Sequence, residues 1–266
     1  MSHRVGFRLA GRLAVRRGKA VSDTDATIRE ALAKALRGDL EPGEAYWADT
    51  IEGLRRKMLK DRSTTVTYTD YGSGDGTDAA HPTVTRTLSE VASYSVPRHE
   101  GLALFNLVRA LRPSQCLELG TCVGISAAYI AAAIDLNEAG KLTTMEGGKD
   151  LARVASINFA RMNLENVTLV SGPFQERVPE LLPQLGRIDF AHIDGHHDGE
   201  ATKKYCAQIL DRAAAPAVIV LDDIRWSRDM HAAWKSIVSH PAVAASYDLL
   251  VCGICLVNGT SNGSRQ

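Results

Sequence analysis

From residue 97 onward, short apolar runs alternate with stretches whose apolar residues recur every three or four positions. Runs of four to six apolar residues are typical of buried strands, and the longer period is typical of amphipathic helices. The predicted strands are Cys116–Leu119, Leu142–Met145, Val167–Val170, Ile188–Ile193 and Val218–Leu221. The predicted helices cover residues 125–136, 149–163, 174–184, 199–213 and 227–239. This alternation predicts a parallel sheet with helices on both faces.

The end of the chain predicts a hairpin that extends this sheet. The runs Tyr247–Val251 and Ile254–Val257 are separated by a tight turn at Cys252 and Gly253. Because a parallel crossover needs about a dozen residues, so short a connection makes the two strands antiparallel. The predicted fold class is therefore α/β and Rossmann-like, with a mostly parallel seven-stranded sheet that ends in an antiparallel strand.

The N-terminal third predicts a helical extension. A helix over residues 24–37 ends at Gly38, and a second helix begins at Pro42. The weakly alternating Thr64–Thr69 predicts a short strand, and the glycine-rich Tyr71–Asp78 is typical of a flexible loop. The expected divisions are a basic, partly disordered terminus (1–22), a helical cap (23–96), the α/β domain (97–258) and a disordered tail (259–266).

The first 20 residues are basic, unlike the chain as a whole, in which acidic and basic residues are balanced. Arginine recurs every four positions next to apolar residues, at Arg4, Arg8, Arg12 and Arg16 beside Val5, Leu9 and Leu13. On a helix this spacing gives a basic stripe next to an apolar stripe, as in targeting peptides, membrane-surface helices and docking helices. Three glycines weaken such a helix, which favours a solvated, partly ordered terminus.

Composition narrows the classes of function. The 266 residues include 31 Lys plus Arg and 31 Asp plus Glu, so no net charge draws the chain to nucleic acid or to a membrane. Five cysteines, an odd number, predict a reducing, cytoplasmic compartment rather than a disulfide framework. No run of about 18 apolar residues predicts a transmembrane helix. The expected partner is a small molecule, and a homodimer is left open.

The first candidate for ligand binding is the segment Glu118–Ser126, which follows the first predicted strand of the α/β domain. Gly120 and Gly124 lie in a turn between a strand and a helix, and Glu118 precedes the first glycine by two positions. Such a turn directs backbone N–H groups and a helix N-terminus at a ligand. The spacing lacks the G-x-G-x-x-G pattern of a dinucleotide site.

The next two strand ends carry further ligand-binding candidates, because open α/β sheets bind ligands at the carboxyl ends of their strands. Glu146 ends the second strand, where a carboxylate can accept the hydroxyl protons of a ribose. Gly172 lets a ring approach the backbone after the third strand, and Phe174 or Gln175 can then border an adenine. A plain turn that opens a helix explains these last three residues almost as well.

Strands four and five end in acidic and histidine residues. Asp194 is followed by His196 and His197, and strand five ends in Asp222 and Asp223. The three carboxylates form an oxygen-rich set that suits a hard cation such as Mg²⁺. A strand-end histidine also suits general-base catalysis, because its pKa lies near working pH. Surface histidines and a helix-capping aspartate are the alternative interpretations.

Together these motifs resemble the catechol O-methyltransferase-like branch of the class I S-adenosylmethionine (SAM) dependent methyltransferases, from about residue 97 to residue 257. The resemblance rests on Leu-Glu-Leu-Gly-x-x-x-Gly-x-Ser, Ile-Asp-Gly-x-His and Leu-Asp-Asp. It implies that the turn Glu118–Ser126 lines the methionine part of SAM and that Glu146 holds the ribose. The implied SAM-binding set is Glu118, Gly120, Thr121, Gly124, Ser126, Glu146, Gly172, Phe174, Gln175 and Asp194.

The resemblance also implies chemistry, with two departures. Asp194, Asp222 and Asp223 fall on the Mg²⁺-binding positions of catechol O-methyltransferases, whose third ligand is usually Asn. Those enzymes carry a catalytic lysine three residues after the strand-four aspartate, where this chain has His197. The expected reaction is methylation of a small-molecule hydroxyl, activated by His197 with Asp194, by a divalent metal, or by both.

Substrate contacts and other classes of function stay open. His196 and Trp226 are candidate substrate contacts, and Trp47 and Tyr71 are candidates for covering the site if the extension folds over it. An NAD-type oxidoreductase would need the missing dinucleotide motif. A SAM-binding protein without catalysis would bind SAM but never convert it. A nucleic-acid methyltransferase is not expected, because a basic domain and a base-flipping motif are missing.

Overall fold

The computed structural model describes residues 3–16, 18–71 and 81–258, apart from the side chains of residues 3–5. Its strands are β1 (Thr65–Thr69), β2 (Thr83–Thr87), β3 (Gln115–Leu119), β4 (Lys141–Glu146), β5 (Val167–Ser171), β6 (Ile188–Ile193), β7 (Ala213–Leu221), β8 (Val243–Asp248) and β9 (Gly253–Val257). Its helices are α1 (His3–Arg16), α2 (Asp23–Arg37), α3 (Pro42–Lys60), α4 (Leu88–Ser93), α5 (Arg98–Leu111), α6 (Ile125–Asn137), α7 (Lys149–Arg161), α8 (Phe174–Leu181), α9 (Gly199–Leu210) and α10 (Arg228–Val238), and a 3₁₀ turn covers Leu182–Gln184.

Seven strands form the main sheet in the order β5-β4-β3-β6-β7-β9-β8. The pairs from β5 through β7 are parallel, whereas β9 pairs antiparallel with both β7 and β8. The mostly parallel seven-stranded sheet predicted from the sequence is therefore confirmed. The order reverses direction beside β3, so the ends of β3 and β6 border the crevice where such sheets bind ligands.

Alternation along each strand divides the core between two faces of the sheet. Cys116, Leu142 and Phe190 face one side, which α5, α6 and α7 cover together with the N-terminal helices. The next residues along the strands, such as Leu117 and Ala191, face the side that α8, α9 and α10 cover. Because N-terminal residues such as Ile28 and Ile51 belong to the first cluster, the N-terminal extension shares the core of the α/β domain.

The N-terminal segment differs from the partly ordered terminus that the sequence favours. Residues 3–16 form α1, and Phe7 and Ala14 are buried while Leu9 and Leu13 are exposed. A Cβ on Gly11 would lie 3.0 Å from the Leu36 side chain. The glycine that weakens the isolated helix therefore lets α1 pack closely on α2, and tertiary contact outweighs propensity.

Two smaller expectations were wrong. The strand assigned to Tyr247–Val251 is β8, which ends at Asp248, so the hairpin turn covers residues 249–252, with Leu250 at a φ of 74°. A second strand, β2, was missed and pairs antiparallel with β1. Most of the expected flexible loop, residues 72–78, and the expected disordered tail, residues 259–266, lie outside the described residues. None of the described helices is long and apolar enough to cross a membrane.

Candidate active site

The turn after β3 is fixed by backbone contacts to both neighbouring strands. The N–H groups of Gly120 and Thr121 each donate to the Met145 carbonyl at 3.0 Å, and the Asp194 N–H donates to the Leu119 carbonyl at 2.8 Å. Gly120 has a φ of 108°, and a Cβ there would lie 1.8 Å from the Asp194 carbonyl oxygen. Glycine is therefore required at position 120 by both conformation and space.

Gly124 has a different role from Gly120. Its φ of 88° places it as the N-cap of α6. A Cβ on Gly124 would lie 2.8 Å from the Phe159 ring, on α7. This glycine therefore lets the start of α6 pack against α7, and it directs the free N–H groups of the helix N-terminus toward the crevice.

A cavity of about 300 Å³ opens beside this turn. The predicted site residues that line it are Gly120, Thr121, Ser126, Glu146, Phe174, Gln175, Asp194, His196 and His197. The predicted residues that do not line it are Glu118, Gly124, Gly172, Asp222, Asp223 and Trp226. The predicted residues that line the cavity thus lie at or after the ends of four strands, β3, β4, β5 and β6. The other predicted residues lie outside the cavity wall.

Glu118 lies beneath the cavity rather than in its wall. Its carboxylate is fully buried, accepting from Thr144 Oγ1 at 2.5 Å and lying 3.1 Å from His192 Nδ1. The strand registers place Thr144, Glu118 and His192 side by side across β4, β3 and β6. Burial lowers the pKa of His192, but the hydrogen bond and charge of Glu118 outweigh it and leave that pKa raised. The three side chains form a buried polar row on one face of the sheet.

Glu146 is held in the cavity wall by backbone donors. The Cys122 N–H donates to Oε2 at 2.7 Å and the Gly148 N–H donates to Oε1 at 2.8 Å. Burial raises the pKa of Glu146 to about 7, although these backbone hydrogen bonds act in the opposite direction. The carboxylate is therefore fixed in position, with lone pairs left for donors that enter the cavity.

His197 is held by two carboxylates. Its Nε2 lies 3.2 Å from Asp223 Oδ2 and 3.7 Å from Asp194 Oδ1, and all three side chains are half-buried. Burial lowers the pKa of His197, but the nearby carboxylates of Asp194 and Asp223 outweigh it and leave that pKa raised. The exposed Trp226 ring packs at 5.3 Å from the imidazole. This geometry brings together both predicted catalytic residues, His197 and Asp194, and two of the three predicted metal ligands, Asp194 and Asp223.

Asp222 takes a different direction from its neighbour Asp223. Donor atoms of Asp222, Asp194 and His192 lie within 4.8 Å of one another, and those of Asp194, His197 and Asp223 form a second such group. Burial, followed by the charge of Asp194, raises the pKa of Asp222 to about 8. The structure therefore divides the three predicted metal ligands between two groups that share Asp194.

Two residues at this site, Glu100 and His192, belong to none of the motifs read from the sequence. Glu100, on α5, is buried on the same side of the sheet as Asp222, and burial followed by the charge of Asp222 raises its pKa to about 9. His192 belongs to the buried row. A polar residue inside the apolar run of β6 was a visible signal for His192, whereas nothing in the sequence pointed to Glu100.

The N-terminal extension supplies a wall of the cavity that the sequence left as a conditional prediction. The lining residues from this extension are Tyr68, Thr69, Asp70, Tyr71, Arg86, Tyr94, Ser95 and Val96. Of the three aromatic residues proposed to cover a substrate, Tyr71 lines the cavity and Trp226 packs on His197, while Trp47 packs against the core. The missed strand β2 carries Arg86 into this wall.

Comparison with known proteins agrees with this geometry. Residues 117–224, from β3 to the end of the β7 segment, match the family described as a methyltransferase domain. This segment of the chain is therefore similar to methyltransferase domains. It contains every residue of the turn after β3, together with Glu146, Asp194, His197 and Asp223.

Proteins similar to this chain include O-methyltransferases. It is 28% identical over 152 residues to catechol O-methyltransferase from Mycobacterium tuberculosis, a match that covers 57% of this chain and 66% of that protein. The O-methyltransferase from Bacillus cereus in complex with SAH superimposes with a TM-score of 0.56 at 21% identity, over 64% of this chain and 85% of that one. An SAH-bound methyltransferase from Podospora anserina gives a TM-score of 0.58 at 14% identity, over 91% and 99%.

Replacing Gly120 by Ala tests the contact that joins the two turns. We expect a loss of roughly 2–4 kcal/mol in the free energy of unfolding, because the Cβ meets a backbone oxygen and the φ disfavours other residues. Thermal unfolding measures this loss. Gly186→Ala is the matched control, since a Cβ there meets nothing within 4 Å. Equal unfolding temperatures for the two variants would contradict the close approach of Gly120 to Asp194.

Proposed function

We propose that this protein is a SAM-dependent O-methyltransferase that methylates a hydroxyl of a small molecule. The observation that carries the proposal is that one cavity is lined both by the turn after β3 and by Asp194 and His197, with Asp223 beside His197. The similarity to catechol O-methyltransferase and to SAH-bound structures supports SAM as the methyl donor. A methyl donor bound at this turn would lie in the same cavity as a histidine that can take a proton.

In this proposal Glu146 binds the SAM ribose, and Phe174 and Gln175 border the adenine. The two backbone N–H groups on Glu146 fix its carboxylate before SAM arrives, so little ordering is needed on binding. The turn at Gly120 and the side chain of Ser126 face the methionine part. The sulfonium then lies on the side of the cavity where Asp194 projects.

Glu146 makes SAM binding depend on pH. Ribose hydroxyls donate to the ionised carboxylate, and the free protein has a Glu146 pKa of about 7. SAM therefore favours the ionised form, so we expect the Kd for SAM to rise as pH falls below about 7, by up to about tenfold per pH unit. Calorimetric titration from pH 5.5 to 8.5 measures this.

Glu146→Gln is the control for that pH dependence. It keeps the size of the side chain but removes the ionisation, so the variant should bind SAM more weakly at pH 8 and lose the slope below pH 7. A variant that keeps the slope would assign the pH dependence to another group, such as His196 or His197.

In the transfer step, the acceptor oxygen attacks the methyl carbon in line with the sulfur. The carbon–sulfur bond breaks with its electron pair going to sulfur, giving S-adenosylhomocysteine, and the acceptor proton passes to His197. Asp223 and Asp194 hold Nε2 of His197, which leaves Nδ1 as the ring nitrogen that takes the proton. The two carboxylates also stabilise the imidazolium that forms, as carboxylates do in other histidine-based sites.

Replacing His197 by Ala tests the role of the base. We expect kcat for S-adenosylhomocysteine formation to fall by about 10²–10⁴-fold with phenolic or catecholic acceptors, while SAM affinity changes little. The readout is S-adenosylhomocysteine release, with SAM binding measured by calorimetry. His240→Ala, at an exposed position on the far side of α10, is the matched control. Unchanged turnover in His197→Ala would remove His197 as the base.

A divalent cation is the second arrangement that the donor atoms accommodate. Asp194, His197 and Asp223 offer two carboxylate oxygens and one imidazole nitrogen within 4.8 Å of one another. A bound cation would lower the pKa of an acceptor hydroxyl. This mixed donor set fits Mn²⁺ or Zn²⁺ better than Mg²⁺, which prefers oxygen ligands throughout. The side chain of Asp222, the third predicted ligand, lies with His192 instead.

Removing metal distinguishes the two arrangements. We expect turnover to survive dialysis against EDTA within about twofold, because His197 can take the acceptor proton without a metal ion. The measurement is S-adenosylhomocysteine formation before and after chelation, with Mg²⁺, Mn²⁺ or Zn²⁺ then restored. If activity is lost on chelation and returns with one ion, His197 is a ligand and the base assignment is wrong.

A further inference from the structure

The antiparallel strands β1 and β2 border the cavity beside the turn that follows Glu146. A Cβ on Gly147 would lie 2.5 Å from the Tyr71 ring, and a Cβ on Gly148 would lie 3.0 Å from the Tyr68 Cβ. These two glycines directly follow Glu146. Their small size therefore lets the pair of strands rest on the turn that carries the proposed ribose-binding carboxylate.

The register of this pair decides which side chains face the cavity. Directly opposed residues point to the same face, and Val66 pairs with Arg86 while Tyr68 pairs with Val84. Val66 is buried and Tyr68 lines the cavity, so this face is the inner one. The alternate positions are all threonines, of which Thr65, Thr67, Thr83, Thr85 and Thr87 do not line the cavity, whereas Thr69, at the end of β1, does. Arg86 therefore belongs to the face that closes the cavity, and it lines that cavity.

Arg86 is the one arginine or lysine among the described residues that line the cavity. The acidic lining residues are Asp70, Glu146 and Asp194. Within the described part of the chain, Arg86 forms no ion pair, and its hydrogen bond is from Nη1 to the Thr85 carbonyl at 3.3 Å. The nearby Glu90 uses its carboxylate to cap α4 through Thr87. The guanidinium therefore keeps donors for an anion that enters the cavity.

The position of Arg86 along the strands indicates which anion. Tyr71 contacts Gly147 at the ribose end, whereas Arg86 lies opposite Val66, set back from Tyr71 toward α4. Helix α4 in turn reaches the turn after β3, where Cys122 Sγ contacts the Val91 carbonyl at 3.9 Å. This is the end of the cavity where the methionine part of SAM would lie, and that part carries a carboxylate.

We propose that Arg86 recognises the methionine carboxylate of SAM, so that the N-terminal extension completes the cofactor site. This inference rests on the proposed function, because it requires SAM in the cavity. A guanidinium binds a carboxylate through two parallel N–H donors, which gives both strength and orientation.

The test compares SAM with decarboxylated SAM, which lacks only this carboxylate. Calorimetric titration is made with the wild type, Arg86→Met, Arg86→Lys and the matched control Arg62→Met, an exposed arginine just before β1 that does not line the cavity. We expect Arg86→Met to weaken SAM binding by about 10–100-fold and decarboxylated SAM binding by less than about threefold. Arg86→Lys should recover part of the SAM affinity, and Arg62→Met should match the wild type.

Each outcome separates this inference from the proposed function. An Arg86→Met variant that binds SAM as the wild type does, or that weakens both ligands equally, would overturn the role of Arg86 while leaving SAM binding intact. A wild type that binds neither ligand would instead overturn the proposed function itself. Arg86 lies on an exposed surface position, so thermal unfolding of Arg86→Met should match the wild type and exclude a folding defect.

Discussion

The close approach between the turn after β3 and the end of β6 is the contact on which the site depends. Gly120 comes so near to the Asp194 carbonyl that no side chain fits between them. This contact fixes the distance between the turn that borders the cavity and Asp194, whose carboxylate lies beside His197. A methyl donor and a proton acceptor have to be placed within a fraction of an ångström for in-line transfer, and rigid backbone contact achieves this better than flexible side chains do.

Below this contact, a row of buried polar side chains holds the strands in register. Thr144, Glu118 and His192 satisfy one another across β4, β3 and β6, so a carboxylate at the centre of the sheet is neither unpaired nor solvated. A buried ion pair of this kind contributes little net stability, because desolvation offsets most of its attraction. The pair instead specifies the register in which β3 and β6 align. A one-residue slip of β6 would turn His192 away and leave Glu118 buried without its partner.

The sequence predicted the sheet and most of the residues that meet at the cavity, because both depend on local pattern. Strand period, glycine turns and strand-end acids are each visible within about ten residues. The prediction from sequence failed where the side chains of two consecutive residues point in different directions. Asp222 and Asp223 were grouped because they share a sheet edge, but consecutive residues of a strand face opposite sides, and Asp223 has a positive φ. The Asp222 carboxylate therefore lies near His192, and the Asp223 carboxylate lies near His197.

The N-terminal extension shows a different limit. Nothing in residues 65–87 resembles a cofactor motif, because their role comes from which face packs on Gly147 and Gly148. A strand with threonine at every second position is typical of a half-exposed edge strand. Its remaining residues can be assigned to an inner face only when the pairing of β1 with β2 is known. The extension lies outside the segment that matches the methyltransferase domain, yet it lines the same cavity. Its side chains Tyr71 and Tyr94 make none of the backbone contacts that fix the turn at Gly120, so they can change without disturbing that turn.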